Sequence, residues 1–476
     1  MLASLLSYSF SSYPPPIKTY LFANQDIKKK QLTIMGKSGR SDDKIVAIDV
    51  GPMLSSLKDE LRNARLSMAS SYCIFKTPSI LFRHRENSFL PNCFSIGPVH
   101  HGKENLAVTE KIKLKYLKGL LCRVTTSPER KSEEAKEIEQ EEILTNFTDT
   151  VKEIEKEASG YYAGDDYAAK LGDEFVKILV LDACFIIELF RKDAGEITQD
   201  QDDPIFSMSC MLQFLYHDLI LLENQLPWFV LETLFEKTKL PSETKSLIEL
   251  ALLFFANMFS SHRPPIKPDL FASKKIKHIL DLLRLSLVLP SEEIKINPRS
   301  GWQPIHTVTR LKEAGLKFVK VTPDSILDIK FRDGSLEIPS LLIQETTETI
   351  LRNLIAYEQC LPHCPPIFTC YAKVLDNLID TTNDMEILCK SEIFDNWLSP
   401  EDATQFFNRL YNDTYVKEFY YSKLCDELDG YCKRWWPTWR AYYVHNYFSK
   451  PWAIAAQIYA VIMFVLTLWQ TYIKKD

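Results

Sequence analysis

The end of the chain limits what it can become more than any other stretch does. From Pro451 to Ile473, PWAIAAQIYAVIMFVLTLWQTYI, twenty-three consecutive residues carry no charge. At ~1.5 Å of rise per residue this is about 34 Å of α-helix, enough to cross a ~30 Å hydrocarbon core. Nine of the residues are Ile, Val, Leu or Phe. At about −0.3 to −0.6 kcal/mol each near the bilayer centre, they favour insertion by roughly −3 to −5 kcal/mol. Gln457 and Gln470 fall toward the ends, where polar groups cost less. Trp452 and Trp469 are about 26 Å apart along such a helix, so each reaches an interface as an aromatic anchor. The competing reading is a buried core helix, but core helices seldom run so long without a charge. The expectation is a membrane helix over 451–473, anchored through Trp452, Ile458, Ile462, Phe464, Leu466 and Trp469.

Flanking charge predicts its orientation. Lys433, Arg434, Arg440 and Lys450 precede the run, and only Lys474 and Lys475 follow it. The excess places the N-terminal bulk in the cytosol. A span this close to the last residue reads as a single-pass tail anchor, in the plasma membrane or an endomembrane. Ala456 and Ala460 form a small-x-x-x-small pair that would allow homo-oligomers through the membrane helix. The basic, aromatic stretch KRWWPTWRAYYVHNYFSKPW suits a membrane surface or, alternatively, packs into the domain. Two sequons, NFT at Asn146 and NDT at Asn412, point the other way, toward a glycosylated lumenal face.

The opposite end carries no secretory pattern. No charge precedes LASLL, serines interrupt the apolar run and PPP follows. Residues 1–43 read as a disordered tail, with Met35 an alternative start. MGKSGRS resembles a P-loop, but Gln31 stands where the leading glycine belongs.

Between the ends the pattern is helical. Glycine is scarce, 14 in 476 residues, under half the usual ~7%. Leu54, Leu57, Leu61, Ala64 and Met68 mark one apolar face. DEFVKILVLDACFIIELFRKD is apolar nearly all round and predicts a buried central helix. Residues 128–170 are acidic beside a helically spaced stripe, Leu144, Phe147, Val151, Ile154 and Ala158. The period changes in GLKFVKV and SILDIKFRDGSLEIPSLLI, where Asp333-Gly334 predicts a hairpin turn. The fold class expected is mainly α: a helical domain over 44–448 with a small antiparallel β unit near 316–343, plus the C-terminal transmembrane helix. The net charge of −6 argues against a nucleic-acid partner. Eleven scattered cysteines read as reduced thiols.

Four places carry polar chemistry. In LILLENQLPWFVLE, Glu223, Asn224 and Gln225 interrupt an apolar run, either as a joint whose side chains satisfy freed backbone groups or as a ligand-binding corner. The residues before Pro227 are pushed out of helix, so one helix should end near Glu223 and the next begin near Pro227. Asp182 inside the central helix must be paired, or else has a raised pKa. Cys360, His363, Cys364 and Cys370 could bind zinc, but C-x2-H-C-x5-C fits no standard site, and a rigid loop is the alternative. Cys93 with His100 and His101 supplies a thiol and a base, the one enzymatic alternative. H-E-x-x-H, G-x-S-x-G, G-x-G-x-x-G and P-loop patterns are absent, and no cofactor is expected.

Taken in order over about residues 44–473, CIFKTP, FSIGPVHHG, LDACFIIELF, HDLILLENQLPWFVLE, LKEAGLKF, LDIKFRDGSLEIPSLLI, RNLIAYEQC and YFSKPWAIAAQIYAVIMFVLTLWQTY resemble the plant domain of unknown function 247 family. The resemblance implies a plant-restricted protein ending in a membrane span, with no established catalysis and no catalytic residues to transfer. Some members are linked to self-incompatibility in grasses, so it implies recognition. LPHCPP after Cys360 is longer than the family's usual spacing, which weakens zinc. The expectation is a membrane-anchored, non-enzymatic interaction or signalling protein whose partners are the lipid bilayer and an unidentified protein.

Overall fold

Helix Asp173–Asp193 organises the domain. In the computed structural model every residue from Phe175 to Lys192 except Lys177 is buried. A sequence apolar on all faces has no solvent side, so neighbours must cover it completely. Helices Ala107–Val124, Glu133–Ser159, Trp228–Thr238 and Leu247–Phe254 do so. Local signals set its limits. Gly172 takes φ 58 just before the start, Asp173 and Glu174 lie in the first turn, and Arg191 and Lys192 in the last. This charge order complements the helix dipole.

The structure describes residues 51–63, 71–83, 85–125, 132–258, 267–291, 299–300, 304–433 and 451–473. The tail expected over 1–43, the P-loop-like stretch and most of the basic aromatic segment 433–452 lie outside them. Two compact units divide the chain, residues 1–67 and 68–476. In the first, helix Gly51–Asn63 exposes Leu54, Leu57 and Leu61 on one face.

The second unit contains all the remaining elements. Around helix Glu345–Cys360, buried from Thr346 to Glu358 except at Glu348, pack helices Ser209–Leu219, Ile279–Val288, Ile367–Leu378 and Pro400–Leu410. One hydrophobic core runs from Cys73 to Leu428 and joins this group to the helices around Asp173–Asp193. Described strands are few and short. Ser335–Pro339 is the middle of three, antiparallel to Lys330–Arg332 and parallel to Lys317–Val321. The tight turn is the expected one, with Asp333 at φ 48 and Gly334 at φ 76, the two positive φ values of a type I′ hairpin. The β unit is therefore mixed, not purely antiparallel. After Val321 the chain crosses through 322–329 before the hairpin starts, and the hairpin's second strand inserts beside the first strand in the same direction. A second small pairing, Leu341–Ile343 with Phe394–Asn396, is also parallel.

Pro451–Ile473 is one continuous helix, with the limits expected. Ile458, Ile462, Phe464, Leu466 and Trp469 are all at least half exposed; the Trp452 side chain is outside the described ones. Among the described residues no helix is long and apolar enough to cross a membrane.

Candidate functional site

The stretch LILLENQLPWFVLE forms a corner. Helix Ser209–Leu219 stops at Leu219, four residues before the expected end, and the next helix starts at Trp228 behind Pro227. The early stop has a local cause. Gln225 Nε2 donates to the carbonyls of Leu219 at 2.7 Å and Leu221 at 2.9 Å, and Asn224 Nδ2 donates to that of Asp218 at 2.9 Å. These side chains take over carbonyls that would otherwise continue the helical ladder.

The joint has a second role that sequence reasoning missed. Segment 92–97, within NCFSIGP, has no regular structure, and buried side chains satisfy its backbone. Asp218 accepts from the N–H groups of Asn92, Cys93 and Phe94 at 2.8, 2.8 and 2.7 Å. Asn224 accepts from Ile96 N–H at 2.7 Å and donates to the Phe94 carbonyl at 2.9 Å. Lys113 Nζ donates to the Ser95 carbonyl. Asp182 accepts from Gly97 N–H at 2.8 Å and pairs with Lys113 at 2.6 Å. Just upstream, Asn353 Nδ2 donates to the Ser88 carbonyl at 2.7 Å, while its Oδ1 accepts from Leu222 N–H at 2.9 Å. Asp182 is thus paired, and burial still raises its carboxyl above the ordinary value against the Lys113 charge. The available signal was a charge on an otherwise apolar helical face, Asp218 in HDLILL and Lys113 in KIKLKYL; what it could not supply was the partner.

Glu223 faces the other way and gathers polar side chains. Its Oε1 accepts from Thr77 N–H at 2.7 Å, and its Oε2 lies 3.6 Å from His100 Nε2. Lys103 Nζ is 2.8 Å from His100 Nδ1. Burial, then the Lys103 charge, pushes the His100 imidazole down to about 4. Beyond this lie Lys76 on Asp165 at 2.7 Å and Tyr167 donating to the same carboxylate at 3.3 Å. Burial, and after it Glu223, pushes the Cys360 thiol up to about 12.

The thiol–imidazole pair is not assembled. Cys93 N–H is bound to Asp218, and its carbonyl accepts from the Thr109 hydroxyl at 2.6 Å. Among the described residues no hydrogen bond links its sulfur to His100 or to His101, whose Nε2 lies 3.5 Å from Glu174. Burial and the Asp218 charge raise the Cys93 pKa, which disfavours the nucleophilic thiolate.

The Cys360–Cys370 segment takes the rigid-loop form. The buried Glu358 carboxylate accepts from the N–H groups of Ile367 and Phe368 at 3.1 Å and Thr369 at 3.0 Å. Arg284 Nε donates to it at 3.0 Å and Arg284 Nη2 to the Pro365 carbonyl at 2.6 Å. Among the described residues no group of three or more His, Cys, Asp or Glu side chains is placed to hold a metal ion.

Thr77, His100, Asp182, Asp218, Glu223, Asn353 and Cys360 come from five separate motifs. All lie within residues 74–466, which match the family model of domain of unknown function 247, described as a plant protein of unknown function. The chain belongs to this family. Two Arabidopsis thaliana proteins are similar to it. The UPF0481 protein At3g47200 is 26% identical over 431 residues, covering 84% of this chain and 86% of that protein. The putative UPF0481 protein At3g02645 is 26% identical over 172 residues, covering 35% of this chain and 32% of that protein. No solved structure matches. For this member of the domain of unknown function 247 family, the motifs thus build one clamp and one polar cluster.

Proposed function

We propose that the protein is a membrane-anchored interaction or recognition protein without catalytic activity, held in a bilayer by helix Pro451–Ile473 with its bulk on the cytosolic side. The observation that carries this reading is the final helix. Ile458, Tyr459, Val461, Ile462, Met463, Phe464, Val465, Leu466 and Leu468 are all exposed along it and leave no broad polar face. An apolar surface so continuous calls for a partner phase, and a bilayer covers every side at once. The twenty-three uncharged residues and the basic excess at Lys433, Arg434, Arg440 and Lys450 support the same reading and its orientation. Interaction is the role that fits a domain whose buried polar groups are largely spent on holding a backbone path.

Translation of the full chain with microsomes tests this, with residues 451–476 deleted as control. The expected result is membrane association that requires the deleted segment, with the bulk digested by added protease. Protection of the bulk, with glycan on Asn146 or Asn412, would place the domain in the lumen and reverse the orientation. Association that survives the deletion would remove the final helix as anchor.

A further inference from the structure

The cluster around Glu223 has polar atoms left over, and their arrangement is specific. A lysine ammonium only donates hydrogen bonds, so the Lys103 contact makes His100 Nδ1 the acceptor. The ring is then neutral, and the hydrogen-bond pattern assigns its proton to Nε2. Nε2 lies 3.6 Å from Glu223 Oε2, beyond hydrogen-bond range. Nε2 has no hydrogen-bond partner, although the His100 side chain is only 4% exposed. Thr77 Oγ1 is also buried without a partner, on the residue whose N–H binds the other oxygen of the same carboxylate. Native proteins rarely leave such atoms unpaired, because each costs about 1–3 kcal/mol.

Charge narrows what completes the cluster. A cation would meet the Nε2–H donor, with the Lys103 ammonium on the same ring. An anion would meet the Glu223 carboxylate. A neutral group that accepts on one side and donates on the other satisfies both. The 3.6 Å gap is spanned by one oxygen making two hydrogen bonds of about 2.8 Å. An amide would need two atoms for the same task.

We propose that His100, Glu223 and Thr77 form a hydroxyl-binding site, in which one O–H group accepts from His100 Nε2–H, donates to Glu223 Oε2 and lies within reach of the Thr77 hydroxyl. Water and the alcohol group of a polyol or sugar share this chemistry. The site stands whether or not the final helix enters a membrane.

The full chain in nanodiscs tests the proposal, using methyl α-D-glucoside and myo-inositol as probes. Saturation-transfer NMR from the protein to either probe, weakened about 5- to 10-fold in Thr77→Val and abolished in Glu223→Gln, would assign the site to a ligand hydroxyl. Thr77→Val keeps shape and the backbone contact to Glu223 and removes an unpaired hydroxyl, so its melting temperature should stay at the parent value or rise. Should neither probe bind, cross-relaxation between water and the His100 Nε2–H in 15N-histidine-labelled protein supports the site with water as its occupant. Absence of both signals overturns the proposal.

Discussion

A Cβ built on Gly97 would stand 2.6 Å from the carbonyl oxygen of Gln225. Gly97 also holds φ at +71. Segment 92–97 and the corner therefore approach as closely as backbone atoms allow, and Tyr162 Oη donates to the same carbonyl at 3.0 Å.

Gly97→Ala should accordingly cost about 3 kcal/mol or more, through strain and displacement of the corner. Gly102 is the control. It has φ +80 but nothing within 4 Å of its Cβ position, so Gly102→Ala should cost only the ~1 kcal/mol of the left-handed conformation. Urea denaturation of both variants measures the difference, and equal costs would remove the close approach as the cause.

The Lys113–Asp182 pair predicts strong coupling. Removing one partner leaves a buried charge, so Lys113→Met and Asp182→Leu should each destabilise by about 3–5 kcal/mol. The double variant should lose less than the sum by about 1–3 kcal/mol. What remains reports the Ser95 carbonyl and the Gly97 N–H, which then have no side-chain partner. Strict additivity in a double-mutant cycle would show that the pair contributes nothing of its own.

His278 predicts acid sensitivity. Its Nε2 is 3.1 Å from the Cys73 carbonyl oxygen, and its Nδ1 accepts from Asp281 N–H at 3.2 Å. Burial pushes the imidazole down to about 4 from the ordinary 6.5, against the Asp281 charge. The unfolded chain therefore takes up a proton near pH 6.5, and the folded chain only near pH 4. The stability is complete above pH 6.5 and declines as pH falls toward 4, by up to about 3 kcal/mol from this group. His278→Asn keeps an N-cap acceptor and should flatten the fall by about one proton between pH 6 and 4.5, as read from chemical denaturation at each pH. An unchanged slope would count against a neutral buried imidazole.

Thiol reactivity follows exposure. Cys122 and Cys210 are exposed, whereas Cys73, Cys184, Cys370 and Cys425 are buried. Burial holds Cys73, Cys370 and Cys425 up at about 12. Maleimide labelling with peptide mapping should therefore find Cys122 and Cys210 first. Selective early labelling of Cys93 would reinstate it as a nucleophile.

Periodicity and turn chemistry made much of the fold legible. The central helix was readable because it is apolar on all sides, the hairpin because Asp333-Gly334 demands two positive φ values, and the corner because Pro227 ends what precedes it. The parallel alignment of Lys317–Val321 was not readable, since direction is set by a crossover with no periodic signature. The clamp was legible only in part. Asp218 and Asn353 stand out as polar residues in apolar surroundings, but their partners are backbone groups more than a hundred residues away. A peptide N–H is the same whatever side chain follows it, so no residue at the receiving end announces the contact. The Glu223 cluster was hidden for a different reason. His100 was read beside Cys93 because they are close in sequence, and the chain turned it toward Glu223 instead.

Because Asp218 grips the start of segment 92–97 by its peptide N–H groups, the grip is indifferent to the side chains at positions 92 and 93, unlike Gly97, where a Cβ would meet the corner. Asn92 is exposed and Cys93 partly so. Either position can exchange its side chain while the path persists, and proline alone is barred, for want of an N–H. Those two positions are a mount with interchangeable fittings.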